Sequence, residues 1–171
     1  MIFASVGSML PFDRFVRGVD EWARDNPEKD VFIQIGGGDY EPRHAPFARM
    51  VTLADYRAKL NACDLFVAHV GMGSILQALE ARKQMLLLPR DLALGEHTTD
   101  HQMHTAERFR GRQGMEIVTT IDELKAGITR LLCNPLSAGG EFSAKASPQL
   151  TAAVALFLSG GTPQNSEVRY A

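Results

Sequence analysis

Short apolar runs alternate with amphipathic stretches along the chain. Residues 2–6 (IFASV) form the first run and close at Gly7. Phe12, Phe15, Val16, Val19, Trp22 and Ala23 then recur at the spacing of one buried helix face. Pro11 is placed for the first turn of that helix, where a missing N–H costs nothing. Residues 31–35 (VFIQI) read as a second strand, closed by Gly36-Gly37-Gly38, and 47–51 as a short third. The pattern predicts further strands over 64–69, 84–89 and 115–119. Helices are expected over 53–62, 74–82, 98–110 and 148–158, with another starting at Thr120, where Glu123 is placed for a capping box.

Alternating strands and helices imply an α/β fold: a Rossmann-like parallel sheet with right-handed crossovers and helices on both faces. The near-continuous apolar strands agree, because both faces of such a sheet are buried. One domain over residues 1–158 and a tail over 159–171 are expected. In open α/β sheets, ligands bind beyond the carboxyl ends of the strands, where the strand order reverses. Attention therefore falls on the residues that follow the strands.

Composition changes this picture little but excludes several classes. Of 171 residues, 45% are hydrophobic and 22% charged, as in ordinary globular domains. A net charge of −2 gives no electrostatic case for nucleic acid. Cys63 and Cys133 stand far apart without metal-ligand spacing, so both read as apolar packing residues of a reducing compartment. The first residues lack a basic n-region, and no run approaches the ~20 apolar residues that span a bilayer. A cytoplasmic location is expected.

Two segments stand out chemically. In HVGMGS (residues 69–74) a strand breaks into Gly71-Met72-Gly73-Ser74 and at once resumes as a helix. Glycine admits close backbone approach, and a helix start offers unpaired N–H groups to an anion. The segment lacks the Gly-Lys-Ser/Thr of a phosphate-binding P-loop and the third glycine of a dinucleotide fingerprint, so an anion site and a plain turn both remain open. In GEHTTDHQMH (95–104), His97, His101 and His104 fall on one face of the expected helix. That face suits a metal, a solvated surface, or hydrogen bonding to a polyhydroxylated ligand. HTTDH is not HExxH and no second ligand pair follows, so no metal is assigned. Trp22 reads as core and His44 as a surface residue.

The segments IFASVGSMLPFDR, HVGMGSILQALEARKQMLLLPR and LGEHTTDHQMHTA, in this order and spacing, resemble the C-terminal, nucleotide-sugar-binding half of family 28 glycosyltransferases. In layout the chain is similar to the short, separately encoded subunits of that family, those of the dolichol-linked GlcNAc-transferase and of bacterial exopolysaccharide glucuronosyltransferases. The resemblance implies one half of a GT-B enzyme that needs no cofactor and no metal. It implies that Gly7, Ser8, Gly71, Gly73 and Ser74, flanked by His69 and Met72, approach a donor diphosphate. It further implies that Gln77 faces the ribose, where a relative has glutamate, and that Asp100, His101 and Gln102, with His97, address the donor sugar. The implied partners are a UDP-sugar, a lipid-linked saccharide acceptor, and a membrane-associated subunit that binds this acceptor and supplies the general base. This chain would then be peripheral to the inner face of the membrane. Arg90, at a strand end, suits a carboxylate and so suggests UDP-glucuronate as donor, with UDP-GlcNAc the alternative. A non-catalytic UDP-sugar-binding subunit is the reading from a different class.

Overall fold

The structure, a computed structural model, describes residues 1–137 and 148–159. The chain divides into two compact units, Met1–Gly140 and Glu141–Ala171. The first holds a six-stranded, wholly parallel sheet in the order β3-β2-β1-β4-β5-β6. Its strands are β1 (Ile2–Ser5), β2 (Val31–Gln34), β3 (Phe47–Ala48), β4 (Leu65–His69), β5 (Met85–Leu88) and β6 (Met115–Ile117). The order reverses between β1 and β4, which pair directly, Ser5 opposite Ala68. The helices are α1 (Asp13–Asp25), α2 (Leu53–Ala62), α3 (Met72–Glu80), α4 (His101–Phe109) and α5 (Ile121–Cys133). α6 (Pro148–Leu158) spans the expected residues. It belongs to the second of the two units. Of the expected tail, only Ser159 lies within the described residues.

The two-residue period of the strands sorts the core into two layers. On one face Ile2, Ile33, Val67 and Leu86 pack with Phe15, Val19 and Trp22 of α1 and Leu124 and Ile128 of α5. On the other, Phe3, Phe66 and Leu87 pack with Leu60 of α2, Ile75 and Leu79 of α3 and Ala106 of α4. Gly18 lets α1 and α5 approach closely, since a Cβ there would lie 3.0 Å from Ile121. Trp22 is core, as expected, and its indole N–H donates to the Thr129 hydroxyl at 2.9 Å. Thr120 caps α5 with Glu123 in the expected reciprocal box.

Several local expectations change. Pro11 lies before α1, whose N-cap is Phe12. The segment 98–110 is helical only from His101, with Asp100 as N-cap, so His97 lies outside the helix and the three-histidine face does not form. Leu92–Leu94 form a turn of 3-10 helix closed by Gly95, in a stretch to which the periodicity assigns no element. α3 begins at Met72 rather than Ser74, because Gly71 already acts as its N-cap. Cys63 is buried but Cys133, at the end of α5, is exposed.

Candidate functional site

The ends of β1, β2 and β4 open onto a cleft of about 410 Å³ at the place where the strand order reverses. Gly7 and Ser8 come to it from β1, Gln34 from β2, His69 from β4, Arg90 from the end of β5, and Gly73, Ser74 and Gln77 from α3. Met50, Val51, Leu53 and Tyr56 add a largely apolar wall, with Met50 beside Gln34 and the Tyr56 ring against Phe3 and Phe66.

The α3 end of the cleft is rich in free donors. The first intrahelical bond of α3 runs from the Ile75 N–H to the Gly71 carbonyl, so the amides of Met72, Gly73 and Ser74 have no helical acceptor. No acidic residue occupies the first turn. A Cβ at Gly73 would meet nothing within 4 Å, which leaves open space beside that amide.

His69 stands between the two glycine turns. A Cβ at Gly7 would lie 2.6 Å from its Cε1, and one at Gly71 would lie 2.1 Å from its Nε2. Gly7 also sits at φ +77°, which a side chain would strain. Burial, with the nearby Arg90 charge, pushes the His69 pKa down to about 4, so the imidazole is neutral at pH 7. Burial raises the Tyr56 pKa, and the neighbouring hydroxyls of Ser74 and Ser5 oppose the shift.

Arg90 corrects an expectation. It is 2% exposed. Its Nη2 donates to the carbonyls of Val6 (2.8 Å) and Leu10 (2.5 Å), its Nε donates to that of Pro11 (3.3 Å), and its guanidinium lies over the Phe12 ring. The side chain expected to bind a sugar carboxylate is thus committed to fastening the β1–α1 connection. Nor does it pair with Glu96, which accepts from Arg14 at 2.7 and 2.8 Å. Burial lowers the Arg90 pKa to about 10, with the Glu96 charge opposing, so a guanidinium without a carboxylate hydrogen bond adjoins the cleft.

The remaining expected residues lie outside the cleft lining. Gly71 is the N-cap and Met72 the first residue of α3. His97 lines a separate depression with Arg14 and Glu96, and its Nδ1 faces the Thr99 amide at 3.1 Å. Gln102 is buried and accepts the Arg90 backbone N–H, holding the end of β5. Asp100, His101 and His104 share an exposed turn, where their ligand atoms lie within 4.8 Å of one another and have the chemistry to hold a divalent ion. Conversely, Gln34 and Tyr56 belong to the cleft although sequence reasoning passed them over. Gln34 left one trace, a polar residue interrupting an apolar strand; Tyr56 left none, as the only ring of a helix with no clear apolar stripe.

Among the described residues, four buried side-chain polar atoms lack a hydrogen-bond partner: Asp13 Oδ1, Gln34 Oε1, His69 Nδ1 and Gln77 Oε1. The last three belong to residues of this cleft. A buried polar atom without a partner is costly, so their gathering in one place points to a ligand that supplies the partners.

A parallel sheet in this order, with glycine turns and a free helix start at its reversal point, is a Rossmann-like domain with a ligand cleft at its switch point. The sequence profile of the glycosyltransferase family 28 C-terminal domain matches residues 1–155, and the chain belongs to that family. No curated protein matches it. Solved structures that share the fold include the glycotransferase of kitacinnamycin (TM-score 0.61, 23% identity, 78% of this chain and 35% of that one). They also include the glycosyltransferase SnogD from Streptomyces nogalater (TM-score 0.53, 22% identity, 93% and 43%). The solution structure of ALG13 is similar over nearly its whole length (TM-score 0.55, 20% identity, 88% and 92%). The chain spans only 35% of the length of the first of these.

Proposed function

We propose that this chain is the donor-binding part of an inverting glycosyltransferase that uses a UDP-sugar. One observation carries the reading: Gln34, His69 and Gln77, each with a buried polar atom that lacks a hydrogen-bond partner, all line the cleft that α3 opens with free amides. In this reading the diphosphate lies on the Gly73 and Ser74 amides, beside the turn at Gly7 and Ser8, and the ribose lies toward Gln77. An acceptor hydroxyl attacks the anomeric carbon as UDP leaves from the opposite face. The diphosphate gains negative charge in that step. Fixed amides at a helix start and the buried Arg90 guanidinium oppose that charge without having to reorganise.

The general base and the acceptor site belong, in this proposal, to a membrane-associated partner that holds a lipid-linked saccharide. Bringing donor and acceptor together supplies much of the rate, so the chain alone transfers sugar poorly. No helix among the described residues is long and apolar enough to cross a membrane, in keeping with attachment through such a partner. Asp100 and His101, exposed on the surface, reach the donor sugar only if the bound partner brings the sugar across to α4. The preference for UDP-glucuronate rested on Arg90; with Arg90 holding carbonyls, the donor is a UDP-sugar without that preference.

Calorimetric titration with UDP, UDP-glucuronate and UDP-GlcNAc tests the proposal. Saturable binding that Ser74→Trp abolishes is the expected result, and the order of affinities names the donor. Binding that survives Ser74→Trp, or no binding of any of the three with or without a co-purified partner, would sink it.

A further inference from the structure

Gln34 ends β2 at the cleft and is 3% exposed. Its amide orientation is set by its neighbour: Nε2 donates to the Gly7 carbonyl at 3.1 Å, which a flipped amide could not do. Oε1 is thereby left as a buried acceptor without a partner. An acceptor repels phosphate oxygens, so the diphosphate is not what satisfies it. The group required is an N–H or O–H donor.

The surroundings choose between these. The cleft wall beside Gln34 is built from Met50, Val51 and Leu53, an apolar surface suited to the face of a flat ring and poor for a polyhydroxylated one. Met50 Sδ lies 3.7 Å from Gln34 Nε2. A thioether on a flexible stem yields readily to an entering ring. α3 follows β4, which the sheet order separates from β2 by β1, so a nucleotide with its diphosphate on Gly73 and Ser74 has its base left for the β2 side.

We infer that Gln34 is the residue that recognises the nucleobase, its Oε1 accepting the imide N3–H of uracil while its Nε2 remains on the Gly7 carbonyl. The inference rests on the donor reading above and extends it to base selection. One side chain then links the base to the Gly7 turn that adjoins the diphosphate. Cytosine, whose N3 is an acceptor, turns a lone pair toward Oε1 and is disfavoured.

The test is titration of the full chain with UDP, CDP and N3-methyl-UDP, on the wild type and on Gln34→Leu and Gln34→Glu. Thermal unfolding of each variant serves as the check on folding. The wild type is expected to bind UDP at least about tenfold more tightly than N3-methyl-UDP or CDP, the scale of one lost buried hydrogen bond. In Gln34→Leu the preference should collapse to near unity. In Gln34→Glu, which keeps an acceptor, a preference for UDP over N3-methyl-UDP should survive at lower overall affinity. If Gln34 serves only to brace Gly7, Gln34→Leu weakens all three ligands by the same factor and keeps their ratio, which overturns the inference while leaving the donor reading intact. Equal binding of UDP and N3-methyl-UDP by the wild type overturns it too. Failure of the wild type to bind UDP, both alone and with a co-purified partner, would remove the donor reading and this inference together.

Discussion

The imidazole of His69 occupies the space that a side chain at residue 71 would need: a Cβ on Gly71 would lie 2.1 Å from its Nε2. The same ring blocks a Cβ at Gly7 from the other side, at 2.6 Å. The two glycine turns of the cleft are therefore shaped around one histidine, and the three residues form a unit.

That unit predicts a coupling. Gly71→Ala should destabilise the fold by about 1–3 kcal/mol, the usual cost of overpacking, and abolish UDP binding. Adding His69→Ala should recover part of the stability, because the clash is with the ring rather than with backbone. Urea unfolding of the two single variants and the double variant measures the coupling; strict additivity would contradict it.

The neutral state of His69 sets a pH dependence. Its folded pKa, about 4, lies below its ordinary value of 6.5. Below pH 6.5 the unfolded chain therefore binds a proton that the folded chain refuses. Stability is full above that pH and declines as pH falls toward 4, by about 3 kcal/mol in all. The melting temperature of the wild type should fall across this window, and that of His69→Asn should fall less steeply.

Arg90→Met strips the Val6, Leu10 and Pro11 carbonyls of a shared donor. The expected cost is about 2–5 kcal/mol, on the scale of buried groups left unpaired. Since the side chain holds the loop and not a sugar carboxylate, affinity for UDP-glucuronate and for UDP-GlcNAc should fall by the same factor. A selective loss of UDP-glucuronate in calorimetry would restore the carboxylate role.

Asp20, fully buried on α1, accepts from the Tyr40 hydroxyl and from the backbone N–H groups of Arg43, His44 and Ala45. Burial alone would raise its pKa, but these bonds outweigh burial and hold it below the ordinary carboxylate value. Its contribution is present above the carboxylate range and is lost as pH falls through it. Asp20→Asn must turn an NH₂ group toward N–H donors. Chemical denaturation should show a loss of about 2–4 kcal/mol, with a smaller acid dependence than in the wild type.

The fold was readable in the chain because β1, β2, β4 and β5 carry apolar runs and α1, α3 and α5 their own stripes. Local periodicity decides such elements, and a parallel sheet follows from their alternation. The Thr120–Glu123 box and the turn at Gly71 to Ser74 were readable for the same reason, since each is a contact between near neighbours in sequence. The limits of α4 were less so. The 3-10 turn at Leu92–Leu94 and its Gly95 cap delay the helix to His101, and no periodicity announces a non-repeating turn.

What only the tertiary structure decided are the relations across the sheet. Arg90 looked like a ligand-binding side chain until the β1–α1 connection, about 80 residues earlier, was seen to present three carbonyls to it. Gln34 is only one residue of a strand in the sequence; in the structure Gly7, just past the end of β1, fixes one half of its amide and the other half stays buried without a partner. The sequence by itself determines which residues are glycine, apolar or charged, and hence which segments become strand, helix or turn. Which donors meet which acceptors depends on the pairing of β1 with β2, β4 and, through β4, β5. That pairing is long-range and carries no local signature, so the chemistry of the cleft could be read only after the sheet had brought its strand ends together.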